Sequence, residues 1–130
     1  MTKDDVLFSQ TFGPLTRTDL VRYAGAGGDF NPIHHDEIFA RSAGYPSVIA
    51  HGLLTAGIAG GALAEAVGPL RLRRFAVRYS GQVFPGDTLT VTATESGAHD
   101  ARVHYSIEVL ASGEAGSDRK VLSAEAEVDA

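Results

Sequence analysis

The sequence predicts an α+β fold in a single domain, residues 1–130, with one antiparallel sheet of about five strands wrapped around a long central helix. Three observations predict it. The run from Gly52 to Val67 is apolar on nearly every side and stops at Gly68-Pro69. After Pro69 the apolar period switches to two over four successive segments. Ahead of the run lie one short alternating segment and two short stretches with helical spacing.

Val6, Phe8 and Phe12 stand at even spacing, which predicts one short strand. Thr16 followed by Asp19 forms a capping-box-like start, and Leu20, Tyr23, Ala24 and Gly27 continue a helical face. A second helix is expected from about Glu37 to Ala43, ended by Gly44 and Pro46. The Gly52–Val67 helix has almost no polar face, so it is expected to be buried on most sides. Its glycines at 57, 60 and 61 each cost about 1 kcal/mol of helix stability against alanine. Close approach of a sheet or a ligand would offset that cost. Strand positions follow at Phe75, Val77, Tyr79 and Val83, at Leu89 to Ala93, at Val103 to Val109, and at Leu122 to Val128. Pro85-Gly86-Asp87, Ser96-Gly97-Ala98 and the polar stretch from Ser112 to Asp118 are the expected turns. The sheet's apolar face needs a cover, and the apolar helix supplies it.

Composition narrows the function. A net charge of -5 and the lack of a basic stripe argue against a nucleic-acid partner. The cationic cluster Arg71, Arg73, Arg74 and Arg78 reads as a solvated strand edge, part of which can meet an anionic ligand. With no cysteine, thiolate nucleophiles, thiolate metal sites and disulfides are excluded. Met1 to Asp5 is polar and unlike a secretory signal, and the longest apolar run falls short of a membrane span of roughly 20 residues. A cytoplasmic protein with no membrane association is expected.

The chemistry concentrates in Tyr23 to Glu37, which reads Tyr-Ala-Gly-Ala-Gly-Gly-Asp-Phe-Asn-Pro-Ile-His-His-Asp-Glu. Asp29 and His34 lie across an Asn-Pro corner, outside any regular pattern. A carboxylate and an imidazole on a stiffened turn can hold one water and move its protons. Gly27 and Gly28 free the backbone before Asp29, Pro32 restricts Asn31 to extended angles, and Asn31 can tie the turn or a catalytic side chain. Read alone, Asp-Phe-Asn-Pro could be only a turn. His35, His99 and His104 read as surface residues, and Tyr23 as core. The crowded His34, His35, Asp36 and Glu37 lack the spacing of a ligand set, so no metal is expected.

With these pieces placed, the chain resembles the MaoC-like (R)-specific enoyl-thioester hydratases, which have a hot-dog fold. Tyr23 to Asp36 matches their hydratase motif, and Ala50-His51-Gly52-Leu53 the start of their central helix. Val77-Arg78-Tyr79 through Pro85-Gly86-Asp87-Thr88-Leu89 matches the following strand and turn. The resemblance implies Asp29 and His34 as the catalytic pair, in either division of roles. It implies Gly52 N–H as the donor to the thioester carbonyl oxygen, with Asn31, Pro32 and His51 in support. Gly60 and Arg78 are the candidate substrate contacts. Many relatives carry serine at the Gly60 position, so any help from that hydroxyl is absent here. The implied substrate is an acyl-CoA or acyl carrier protein ester, with no separate cofactor, and the implied assembly is a homodimer joined edge to edge. Two rivals stay open: a hot-dog acyl thioesterase, for which Glu65 is the carboxylate to weigh, and a non-catalytic subunit of a heterodimeric dehydratase.

Overall fold

The structure is a computed structural model that describes residues 5–130. The reading of the extreme N-terminus falls on residues 1–4, outside the described ones. Strand β1 spans Val6–Phe12, helix α1 Arg17–Gly27, α2 Glu37–Ser42 and α3 Gly52–Val67. Strands β2 (Leu72–Tyr79), β3 (Thr88–His99), β4 (Arg102–Gly113) and β5 (Gly116–Asp129) follow. They form one antiparallel sheet in the order β1-β3-β4-β5-β2, leaving β1 and β2 at the edges. This is the predicted class, a five-stranded sheet packed on a central helix.

The inner face of the sheet is a stack of cross-strand rows. Val91, Val109, Leu122 and Tyr79 make one row; Ala93, Ile107, Ala124 and Val77 make the next. Ala56, Ala59, Leu63 and Val67 of α3 press into the buried core that these rows share. Small side chains on the helix and in the rows let backbone approach backbone, and burial of the branched residues drives the packing. Two glycines fix the direction of α3. A Cβ at Gly52 would stand 3.0 Å from the Tyr79 ring, and one at Gly60 would stand 3.2 Å from the Phe75 ring. Eight helical residues rise about 12 Å and four strand residues about 13 Å, so α3 runs antiparallel to β2.

Some expectations change. Ser96-Gly97-Ala98 is not a turn: β3 runs through it with a bulge between Glu95 and Gly97. The reversal comes later, at Asp100 and Ala101, both at positive φ (52° and 61°), as a tight two-residue hairpin loop requires. The turn expected over Ser112 to Asp118 shrinks to Glu114 and Ala115, because Gly113 pairs with Gly116. β2 ends at Tyr79, and Val83 is instead buried in the loop, where its carbonyl accepts Ala50 N–H at 2.7 Å. Helix α3 is also less enclosed than its composition suggests. Leu53 is 67% exposed, and nothing lies within 4 Å of a Cβ placed at Gly57 or Gly61. The sheet covers one side of the helix and leaves this stripe open.

The Pro85-Gly86-Asp87 turn is latched by burial. Asp87 accepts from Phe84 N–H at 2.8 Å and from the Arg119 guanidinium at 2.6 Å. That ties the β2–β3 connection to β5. Among the described residues no helix is long and apolar enough to cross a membrane.

Candidate active site

The segment between α1 and α2 is built from nested turns in which side chains satisfy backbone donors. α1 leaves the helical conformation at Gly28, whose φ of 70° suits glycine. Asp29 Oδ1 accepts Asn31 N–H at 3.2 Å, and Asn31 Oδ1 accepts Ile33 N–H at 3.1 Å. Pro32 opens a single 3-10 turn, Pro32–His34, where its missing N–H forfeits no bond. Asp36 caps α2 through Phe39 N–H at 3.1 Å, and Glu37 accepts Val48 N–H at 3.2 Å and pairs with Arg17 at 2.8 Å. So Asn31 and Pro32 shape the turn, while Asp36 and Glu37 are committed to structure.

The linker before α3 is pinned to this segment. Ile49 N–H donates to the Ile33 carbonyl at 3.1 Å. His34 Nδ1 lies 2.8 Å from the Ile49 carbonyl. A carbonyl only accepts, so Nδ1 carries the proton and Nε2 presents a lone pair. That nitrogen faces Asp29 Oδ2 at 3.8 Å. The gap exceeds a direct hydrogen bond and fits one water oxygen touching both groups. The His34 side chain is 11% exposed and that of Asp29 52%, so the pair sits at an opening with the imidazole recessed.

His51 links the pair to α3. Its Nε2 lies 3.1 Å from the Asp29 carbonyl, and its ring stacks on His34 with centroids 3.7 Å apart and planes 22° from parallel. Tyr23 packs on the other neighbourhood of the same ring, 4.8 Å away and tilted by 53°. The next residue, Gly52, opens α3. No side chain caps that end, and the first N–H groups of a helix have no acceptor within it. Helix polarity makes this terminus attractive to negative charge. Tyr79 lies over the Gly52 Cα, so only glycine fits there without moving the ring. Burial, and then the nearby Tyr23 phenol, push the Tyr79 pKa up, which keeps its hydroxyl protonated.

Asp29, His34 and His51 offer ligand atoms within 4.8 Å of one another. This trio differs from the His34-to-Glu37 cluster weighed from sequence. Its geometry suits a metal poorly: lone pairs lie in the ring planes, and near-parallel stacked rings cannot both point at one ion. Their other nitrogens are taken by carbonyls.

The remaining candidates lie elsewhere. Gly60 is filled over by Phe75, two helical turns from Gly52. Arg78 alternates with Val77 and Tyr79, so it points to the outer face of the sheet, away from the pair. There it lines a polar groove of about 740 Å³ with Thr92, Ser106, Glu108 and Lys120. None of the Asp29–His34 site borders that groove. The structure therefore does not bring Arg78 to the pair within one chain. His35 is exposed, near the Phe30 carbonyl at 3.2 Å, and His99 is exposed beside Asp100. The Ile49 carbonyl has no local motif, and Tyr79 stands in the matched Val77-Arg78-Tyr79 segment only as a strand residue. Tyr79 could have been found from its place in the inward-facing set Phe75, Val77, Tyr79. The carbonyl could not.

Comparison with known proteins agrees with this architecture. The family described as MaoC like domain matches residues 3–115. The chain is 38% identical over 115 residues to a fatty acid synthase subunit beta of Aspergillus oryzae, covering 85% of this chain and 6% of that protein. It is 37% identical over 113 residues to 3-hydroxyacyl-thioester dehydratase Y of Mycobacterium tuberculosis, covering 82% of this chain and 37% of the relative. The chain thus spans only a minor part of these relatives' length. The solved structure of the unliganded (R)-hydratase PhaJ1 from Pseudomonas aeruginosa superposes with a TM-score of 0.85 at 26% identity, covering 100% of this chain and 82% of that one. The chain belongs to the MaoC-like dehydratase family, whose fold is the hot-dog sheet around a central helix.

Proposed function

We propose that the chain adds water across the C2–C3 double bond of 2-enoyl thioesters in the (R) sense, and dehydrates (3R)-hydroxyacyl thioesters in reverse. Coenzyme A or the phosphopantetheine of an acyl carrier protein is part of the substrate, and no further cofactor takes part. The observation that carries this reading is the 3.8 Å separation of Asp29 Oδ2 and His34 Nε2, with His34 Nδ1 pinned to the Ile49 carbonyl. Relatives named enoyl-CoA hydratase and 3-hydroxyacyl-thioester dehydratase support it.

Both facing atoms are acceptors, so the resting pair holds a water by its two hydrogens. The water oxygen attacks C3 and the double-bond electrons move toward the thioester, giving an enolate. Gly52 N–H donates to the enolate oxygen, and one such preorganised donor is worth about 3–4 kcal/mol. Asp29 takes one water proton as the C3–O bond forms. The other passes through His34 Nε2 to C2, and Asp29 returns its proton to the new hydroxyl oxygen. One hydroxyl and one hydrogen have then been added, and the pair ends as it began. The same geometry serves the reverse division of roles.

Incubation with crotonyl-CoA tests the reading: enoyl absorbance should fall while the thioester stays intact. Asp29→Asn and His34→Ala should each lower turnover by roughly a thousandfold with the fold retained. Near-normal turnover in either variant would remove the mechanism. Release of free thiol would favour a thioesterase instead. Glu65, the single acid on α3, is exposed near the far end of the helix from Gly52, which leaves that rival without a placed carboxylate. The free edge of β2 is where a second copy would add its own sheet, giving the homodimer, and sizing by light scattering tests this.

A further inference from the structure

His51 is the most buried titratable side chain near the pair, 2% exposed, and it contacts the Asp29 backbone and the His34 ring. The Asp29 carbonyl only accepts, so His51 Nε2 carries its proton and Nδ1 is bare. Nδ1 is buried with no hydrogen-bond partner among the described residues. A buried unpaired acceptor is unfavourable, and a hydrocarbon ring of similar size would avoid that loss. Packing alone therefore does not account for an imidazole here. Its Nε2–H bond and its ring face do.

We propose that His51 is a positioning residue that sets the spacing between the two halves of the active site. This rests on the hydration reading and deepens it. The Nε2–H bond fixes the backbone of Asp29, the stacked face fixes the tilt of the His34 ring, and the peptide link to Gly52 fixes the N–H at the mouth of α3. Hydration needs these at one set distance, because the water must meet C3 while the oxygen on C1 meets Gly52 N–H. A single rigid ring between them supplies that distance. The geometry has a second consequence. The two stacked rings hold opposite tautomers, Nδ1–H in His34 and Nε2–H in His51.

Three variants divide the role. His51→Ala removes both contacts, His51→Gln keeps a donor without the ring, and His51→Phe keeps a ring without the donor. With crotonyl-CoA, His51→Ala should lower kcat by about a hundredfold with KM changed less than threefold, as a displacement near 1 Å implies. His51→Gln and His51→Phe should each recover part of the loss. Nitrogen-15 spectra of the imidazoles should show the opposite tautomers in the wild type, and in His51→Ala the His34 signals should shift and broaden, as its ring loses the tilt that seats Nδ1 on the Ile49 carbonyl. A kcat within twofold of wild type in His51→Ala overturns the proposal. So does a wild-type His51 protonated at Nδ1, or a variant whose only change is a lower Tm with unaltered His34 signals. Should the wild type fail to hydrate crotonyl-CoA, the function reading falls, while the spectra still decide the positioning role. Should His51→Ala not fold, the wild-type spectrum and His51→Gln carry the test.

Discussion

Asp29 uses its two oxygens for different ends. Oδ1 closes the turn by accepting Asn31 N–H, and Oδ2 faces His34 across the water-sized gap. Substitutions can separate these duties. Asparagine still presents an oxygen to Asn31 N–H but cannot take a proton, so Asp29→Asn should keep wild-type stability and lose turnover. Alanine loses the turn bond as well. Asp29→Ala should lose the same turnover and about 1 kcal/mol of stability, the usual size of a lost side-chain cap. Urea denaturation of the two variants beside a crotonyl-CoA assay reads both effects. Equal stability of Asp29→Asn and Asp29→Ala would show that the Asn31 bond contributes nothing. His34 shows where local reading stops. Its motif is plain in the sequence, but the tautomer that leaves the Nε2 lone pair facing Asp29 depends on the carbonyl of Ile49, in a different segment.

Helix α3 was the most legible element, and its reasons are physical. An apolar run bounded by an open glycine start and a Gly-Pro stop leaves few alternatives, and the helix occupies the expected Gly52–Val67. Its surroundings were less legible, because which glycine faces a neighbour depends on the sheet. Gly60 alone of the three suspected glycines meets a ring, Phe75, while Gly57 and Gly61 face open space. The bulge at Gly97 reads as a turn in the sequence for a similar reason. Ser, Gly and Ala look alike in either role, and only pairing with His104 on β4 tells them apart. The Gly60–Phe75 contact yields a prediction for α3. Gly60→Ser should press its Cβ into Phe75 and cost about 1 kcal/mol net, since improved helix propensity offsets part of the overpacking. Phe75→Leu should relieve it, so the double variant should be more stable than the two single losses sum to. A thermal double-mutant cycle measures that coupling, and additive losses would mean the contact is slack.

The molecule separates its chemistry from part of its stability along the length of α3. The Asp29–His34 pair lies beside Gly52, whereas Tyr105 lies in the row with Phe75 and Ala126, level with Gly60. Tyr105 is 8% exposed, and its pKa is raised chiefly by burial, further by the Glu95 carboxylate, against a smaller lowering by Arg71. The sign follows from linkage. Below the unfolded value near 10 the folded and unfolded states hold the same phenolic proton, and the contribution is intact. As pH rises beyond that, the unfolded chain loses its proton first, so stability falls until the folded phenol also titrates. One proton gives a slope of at most about 1.4 kcal/mol per pH unit. Tyr79 is raised by burial too, but it is 47% exposed and should contribute less. Urea midpoints taken between pH 9 and 11 should therefore fall for the wild type and flatten in Tyr105→Phe, with Tyr79→Phe between them. Crotonyl-CoA hydration by Tyr105→Phe at pH 8 should stay at the wild-type rate, because the phenol touches neither the pair nor the mouth of α3. If the alkaline slope survives in Tyr105→Phe, the buried row is not its source. If hydration falls instead, the two ends of the helix are coupled more tightly than their separation along β2 allows.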